Sequence, residues 1–192
     1  MKHITLIMIL IALALSLSAA ANPKEKKMKI LVLYSSQTGT TREIAEFMAQ
    51  EIGKAGHQAD VTHCSEAQNL KTYDAIIIGA PVYAGKWKAE AGTFIKNNAD
   101  LLKVIPHAYF MVGTSFDGKA SPAEMRAILA KERELCPPVS EGRFMGRLDY
   151  SRLNVFQRMI CKMMKAPEGD FRDWKAISEW TRETVQLLGV RC

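Results

Sequence analysis

The sequence predicts an α/β domain in which one parallel sheet is covered by helices on both faces. Three observations predict it. Two apolar runs, Ile30-Leu31-Val32-Leu33-Tyr34 and Ala75-Ile76-Ile77-Ile78 between Asp74 and Gly79, have the composition of strands buried on both sides. From Met28 onward, strand patterns alternate with helical ones, the order that parallel pairing requires. The first strand also runs directly into Ser36-Gln37-Thr38-Gly39-Thr40-Thr41, a loop of small hydroxyl residues that opens a helix. A chain of 192 residues suits one such domain and is too short for two ordinary ones.

The elements follow in order. After the first strand, Thr41, Ile44, Ala45, Met48 and Ile52 recur at helical spacing. Thr40 and Glu43 form a capping box at the start of that helix, and Gly53 and Gly56 stop it. Gln58 to His63 reads as a short second strand, and the run ending at Gly79 as the third. A helix is predicted from Lys88 to Leu102, carrying Ala91, Phe94 and Ile95 inward. Ala108 to Gly113 is the fourth strand, Pro122 to Glu134 a crossover helix, and Val139 to Leu148 a last strand weakened by Gly142 and Gly146. Leu153 to Lys165 has Leu153, Phe156, Ile160, Met163 and Met164 on one side and Arg158, Lys162 and Lys165 on the other. Asp170 is placed to cap a terminal helix carrying Trp174, Ile177, Thr181, Val185 and Leu188.

Residues 1–27 stand outside the predicted domain, which occupies 28–192. Lys2 and His3 precede an apolar stretch from Ile4 to Leu17, followed by Ser18-Ala19-Ala20-Ala21 and by Lys24, Lys26 and Lys27. Three readings stay open. The segment is a secretory signal peptide cleaved after Ala21, or an uncleaved anchor, since about 18 largely apolar residues just span a bilayer. In the anchored form the three lysines hold the domain on the cytoplasmic side. Or Met28 is the true start of a cytoplasmic protein. No Arg-Arg pair precedes the apolar stretch, so export in the folded state is not indicated.

The four cysteines, Cys64, Cys136, Cys161 and Cys192, show neither CxxC nor metal-ligand spacing, and free thiols are expected. The net charge of +6 is not gathered into one run. It suits anionic partners or a membrane surface, and a nucleic-acid partner is not expected.

The loop Ser36–Thr41 reads as an anion cradle. Backbone N–H groups, hydroxyls and a helix N-terminus converge there, and Gly39 lets the backbone come close to a ligand. No lysine or arginine lies within it, so the anion is expected to be held by dipoles. This disfavours a nucleotide triphosphatase, whose loop needs Gly-Lys-Ser/Thr. Ser36 and Arg42 have the spacing of the Cys and Arg of small phosphatases, but a serine stands where the thiolate nucleophile is needed.

The stretch Val32-Leu33-Tyr34-Ser35-Ser36-Gln37-Thr38-Gly39-Thr40-Thr41-Arg42-Glu43-Ile44-Ala45 closely resembles the fingerprint of the flavodoxin family, with Met48 a mild departure at the final aliphatic position. The resemblance extends over nearly everything after Met28. It implies a doubly wound five-stranded parallel sheet ordered 2-1-3-4-5, with FMN at the switch point between strands 1 and 3. Within the family, the chain resembles the branch that includes menaquinone-dependent protoporphyrinogen dehydrogenase. That branch carries a basic, apolar helical segment before the terminal helix, matched here by an insert at about 150–169 and by Asp173-Trp174.

The resemblance assigns Ser36, Gln37, Thr38, Gly39, Thr40 and Thr41 to the FMN phosphate. Pro81, Val82, Tyr83, Ala84, Gly85 and Lys86, in the stretch from Gly79 to Trp87, correspond to the loop over one face of the flavin ring. Tyr83 and Trp87 are the stacking candidates there. Thr114, Ser115 and Phe116 correspond to the second flavin loop, while Asp117-Gly118 has turn chemistry. Lys86, Lys88 and Lys119 make the surround basic, which favours the anionic reduced flavin and implies two-electron chemistry or an anionic partner.

No side chain has the spacing of a general acid, nucleophile or metal ligand. No catalytic residue is nominated, and the resemblance implies an FMN-dependent oxidoreductase, related to protoporphyrinogen dehydrogenase, that passes electrons from a reduced donor to a quinone or similar acceptor. An electron carrier between redox proteins is the alternative. The helix at 153–164 is either a lid on the sheet edge or an interfacial helix meeting anionic lipid.

Overall fold

Five parallel strands carry the molecule in the computed structural model, which describes residues 26–114, 116, 121–163 and 165–190. The expected leader lies outside them apart from Lys26 and Lys27. No helix of the described residues is long and apolar enough to cross a membrane. The strands are β1 (Lys29–Tyr34), β2 (Gln58–His63), β3 (Ala75–Tyr83), a short antiparallel β4 (Lys86–Trp87), β5 (His107–Gly113) and β6 (Glu141–Met145). Their spatial order is β2-β1-β3-β5-β6, with β4 paired to the end of β3. Counting only the parallel strands, this is the 2-1-3-4-5 order.

Alternation along β1 divides the core. Ile30 and Val32 face a layer formed with Ile44, Met48 and Ile52 of α1 (Thr40–Lys54), and with Ile177, Val185 and Leu188 near the C-terminus. Leu31 and Leu33 face the opposite layer, with Ile76, Ile78 and the inward residues of α2 (Ala89–Asn97). Each fully buried Ile or Leu contributes about 1.5–3 kcal/mol, and an exposed ion pair about 0–1 kcal/mol. The two apolar layers therefore hold the fold. Phe110 lies over Gly79 on the neighbouring strand, and a Cβ at Gly79 would meet its ring at 1.9 Å.

The remaining helices depart from the sequence expectation in specific ways. The helix expected over 88–102 breaks at Asn98, whose amide donates to the Phe94 carbonyl, leaving α2 and a single turn, α3 (Ala99–Leu102). The crossover helix divides at Leu129 into α4 (Pro122–Ala127) and α5 (Ala130–Leu135) because Leu129 turns into the core. The strand expected over 139–148 stops at Met145. Gly146 donates to the Gly113 carbonyl, and β7 (Arg147–Leu148) leaves the main sheet to pair with β8 (Gly169–Asp170). Between them lies α6 (Val155–Met163), shorter than expected, and α7 (Trp174–Val190) closes the chain.

Two caps also differ. Gly39, at φ 89, is the N-cap of α1 and supplies no side-chain bond, so the Thr40–Glu43 capping box does not form. Glu43 is drawn instead into contacts with the insert. The terminal helix is capped by Asp173, whose Oδ1 accepts from the Ala176 amide, while Asp170 is held by Arg172. The capping box of the described chain is Ser121–Glu124.

Candidate functional site

The loops after β1, β3 and β5 leave the same C-terminal edge of the sheet, where doubly wound sheets bind ligands. Backbone contacts join them. The Ser35 amide donates to the Gly79 carbonyl at 2.9 Å, and a Cβ at Gly113 would lie 3.4 Å from the Val82 carbonyl oxygen. On the other side, a Cβ at Gly146 would lie 3.2 Å from Val112 and 3.7 Å from the Thr40 methyl. Parallel register, rather than sequence proximity, brings these segments together.

In the first loop, the Ser36 hydroxyl accepts from the Gly39 amide at 3.0 Å and fixes the turn. Gln37 is exposed, Thr38 and Gly39 are half-buried, and Thr40 and Thr41 are buried. With glycine as N-cap, no side chain caps the first turn of α1. Its leading N–H groups, which have no partner inside a helix, face the loop together with the positive end of the helix dipole. This donor set fits the phosphate of FMN.

Pro81 and Val82 lie buried at the end of β3 rather than in a loop, and the Lys88 amide donates to the Pro81 carbonyl. Ala84 (φ 48) and Gly85 (φ 71) form the two-residue turn of the β3–β4 hairpin, the positive-φ pair such turns favour. This raises Tyr83, 45 % exposed, and Lys86 at the rim. Trp87 is core: its indole N–H donates to the Ala80 carbonyl at 3.0 Å and its ring packs on Tyr109. Of the two stacking candidates, Tyr83 is the one left accessible. Thr114 is exposed and Phe116 packs beside Gly113. Ser115, Asp117, Gly118 and Lys119 lie outside the described residues.

Charge around the site is more organised than the sequence suggests. Glu90 accepts from the buried Ser35 hydroxyl and pairs with Lys88 at 3.0 Å, with His63 at 3.7 Å. The Ser35 bond, with the Lys88 contact, holds the Glu90 carboxyl below the usual range despite burial. Burial, helped by Glu90, pushes the Cys64 thiol up to about 12, so it is no thiolate at neutral pH. Cys64, Cys136 and Cys161 are free, and the described residues contain no metal-ligating cluster.

Three arginines converge on Glu43, in the first turn of α1. Arg147 Nη2 lies at 3.0 Å, Arg152 Nη1 at 2.8 Å and Arg172 Nη1 at 2.6 Å. Burial works to raise the Glu43 carboxyl, but the bonds from Arg152 and Arg172 and the charge of Arg147 outweigh it and hold it low. Arg172 is nearly buried, paired with Asp170 and stacked on Trp174 at 4.5 Å. Arg152 Nη1 also donates to the Thr38 carbonyl at 3.2 Å. Sequence reasoning missed these groups, because they stand 104 to 129 residues from Glu43. The acidic residue three positions after Thr40 was the only local sign, and it reads as a cap.

Comparison with known proteins agrees with this geometry. A family model described as a flavodoxin domain matches residues 31–175. Protoporphyrinogen IX dehydrogenase [quinone] of Escherichia coli strain K12 is 29% identical over 176 residues, covering 82% of this chain and 94% of that protein. The Leishmania major protein of the same name is 24% identical over 172 residues, covering 82% of this chain and 74% of its own. Among solved structures, the flavodoxin of Streptococcus pneumoniae TIGR4 superposes with a TM-score of 0.55 at 17% identity, covering 85% of this chain and 99% of that one. On its sheet order, its uncapped hydroxyl loop and a family match over most of its length, this chain belongs to the flavodoxin domain family.

Proposed function

We propose that this chain is an FMN-dependent oxidoreductase that takes electrons from a porphyrinogen and passes them to a quinone at a membrane surface. The carrying observation is the convergence of the uncapped loop Ser36–Thr41 with the ends of β3 and β5 on one sheet edge. FMN supplies the redox chemistry when bound. The protein holds the phosphate with the first loop, presents Tyr83 and the Ala84–Gly85 turn on one side, and brings Thr114 and Phe116 to the other. The similarity to protoporphyrinogen IX dehydrogenases supports the choice of donor and acceptor.

The membrane part rests on α6. Val155, Phe156, Met159 and Met163 are 84 %, 65 %, 58 % and 76 % exposed while Leu153 and Ile160 are half-buried, which favours an interfacial helix over a lid that packs its apolar side on the sheet. With Lys162 and Lys165 beside them, this is the pattern of a helix that lies in an anionic interface. Residues 1–27, where retained, add a second attachment. The intact mass of the native protein distinguishes the three readings of that segment.

The test is anaerobic turnover of protoporphyrinogen IX by FMN-loaded protein with a soluble quinone, followed as porphyrin fluorescence and quinone loss. Coupled change in both supports the proposal. A protein that loads FMN and exchanges electrons only with a reductase protein is a carrier instead.

A further inference from the structure

The cradle for the phosphate contains no cation of its own, yet the insert brings one to it. Arg152 lies just before α6 and reaches back over 114 residues to donate from Nη1 to the Thr38 carbonyl. The same nitrogen lies 3.3 Å from where a Cβ at Gly39 would stand, so the guanidinium rests directly on the Thr38–Gly39 peptide. That peptide's other end is the Gly39 N–H, which Ser36 holds. One arginine thus sets the plane of the peptide at the tip of the loop.

Its neighbours have different roles. Arg172 is saturated by Asp170, Glu43 and Trp174 and has a nearly buried side chain. Arg147 is 21% exposed and uses Nη2 on Glu43. Arg152 keeps 41% of its side chain exposed. It pairs with Glu43 and, at 3.5 Å, with Asp149, and its Nη2 has no hydrogen-bond partner among the described residues. Glu43 alone would repel an anion arriving at the α1 N-terminus, and the arginines neutralise it.

We propose that Arg152 is a positioning residue for the cofactor phosphate, latching the insert to the Thr38–Gly39 peptide so that loop and insert are set together when FMN binds. The proposal rests on the FMN reading above. The coupling is reciprocal: what tightens phosphate binding also quiets the insert. The ribityl and ring portions of the flavin are held by other loops, so the effect belongs to the phosphate alone.

The test compares FMN with riboflavin, which lacks the phosphate. Flavin-stripped protein is titrated with each, following flavin fluorescence, for wild type, Arg152→Ala and Arg152→Lys. Arg152→Ala is expected to weaken FMN about tenfold, the scale of a lost charge-assisted hydrogen bond, and to leave riboflavin unchanged. Arg152→Lys, keeping charge without the planar fork, falls between. Added salt narrows the difference between wild type and Arg152→Ala.

As an independent readout, FMN slows chymotryptic cleavage at Phe156 in wild type and much less in Arg152→Ala, while riboflavin slows neither. Equal loss of both flavins, or FMN binding unchanged in the variant, overturns the proposal. Should Arg152→Ala fail to fold, the Lys variant carries the same comparison. A wild type that takes up neither flavin overturns the cofactor reading and this proposal with it.

Discussion

Arg172 joins the approach to the last helix to the first turn of the first: its Nη1 donates to Glu43 Oε2 at 2.6 Å across 129 residues of sequence. The bond makes Glu43 a fastening point for the insert and not a local cap. It also gives the fold a pH signature.

The Glu43 carboxyl is lowered in the folded state, so its contribution is fully present above the ordinary glutamate value of 4.5 and is lost as pH falls through the lowered value. Glu43→Gln is expected to cost about 1–2 kcal/mol at pH 7. Urea midpoints of wild type and variant should converge progressively below pH 4.5. A gap of constant size down to acid pH would mean that Gln loses packing and not charge.

Gly39→Ala should damage both loop and latch. A left-handed backbone costs a residue with a Cβ about 1–2 kcal/mol, and the new methyl would meet Arg152 Nη1 at 3.3 Å. The expected result is a lower urea midpoint together with FMN binding weakened by at least about tenfold. Riboflavin, which lacks the phosphate, should bind the variant with little change, and an equal loss of both flavins would mean that the strain spreads beyond the phosphate loop.

Phe156→Glu tests α6 directly. At 65 % exposure the ring holds little of the fold together, and the stability change should stay within about 0.5 kcal/mol. Co-sedimentation with vesicles rich in anionic lipid should fall sharply. Unchanged sedimentation would remove the membrane from the proposed function, and a large loss of stability would return α6 to the role of a lid.

Lys86 stands on the exposed rim of the hairpin, whereas the nearby Lys88 is committed to Glu90. Lys86→Glu should therefore lower the potential for forming the anionic reduced flavin by about a few tens of millivolts at low salt. Spectroelectrochemical titration at two ionic strengths measures it, with the shift shrinking as salt rises.

What was legible in the chain was whatever short-range pattern controls. The apolar runs of β1 and β3 and the loop Ser36–Thr41 announced themselves because burial on two faces and donor crowding leave local traces. Helix breaks did not: Asn98 ends α2 through its own side chain, and Leu129 interrupts a good helical pattern by packing inward. The end of β3 was misplaced because Pro81 reads as a loop residue, yet its carbonyl is what the ladder uses. The arginine cluster was invisible for a different reason. Its members are ordinary surface charges until β7 and β8 fold the insert back, and no spacing rule reports a contact across half the chain.

The two-rung ladder of β7 and β8 has one more consequence. Leu148 stands beside Gly169, so the segment between them leaves and re-enters at neighbouring positions, and it meets the domain again where Arg152 reaches Glu43 and Thr38. A short turn joining the two rungs should leave both core layers untouched, because α6 contributes no buried residue to either. The two core layers therefore do without the excursion, whereas the phosphate loop loses with it the Arg152 guanidinium at the Thr38 carbonyl.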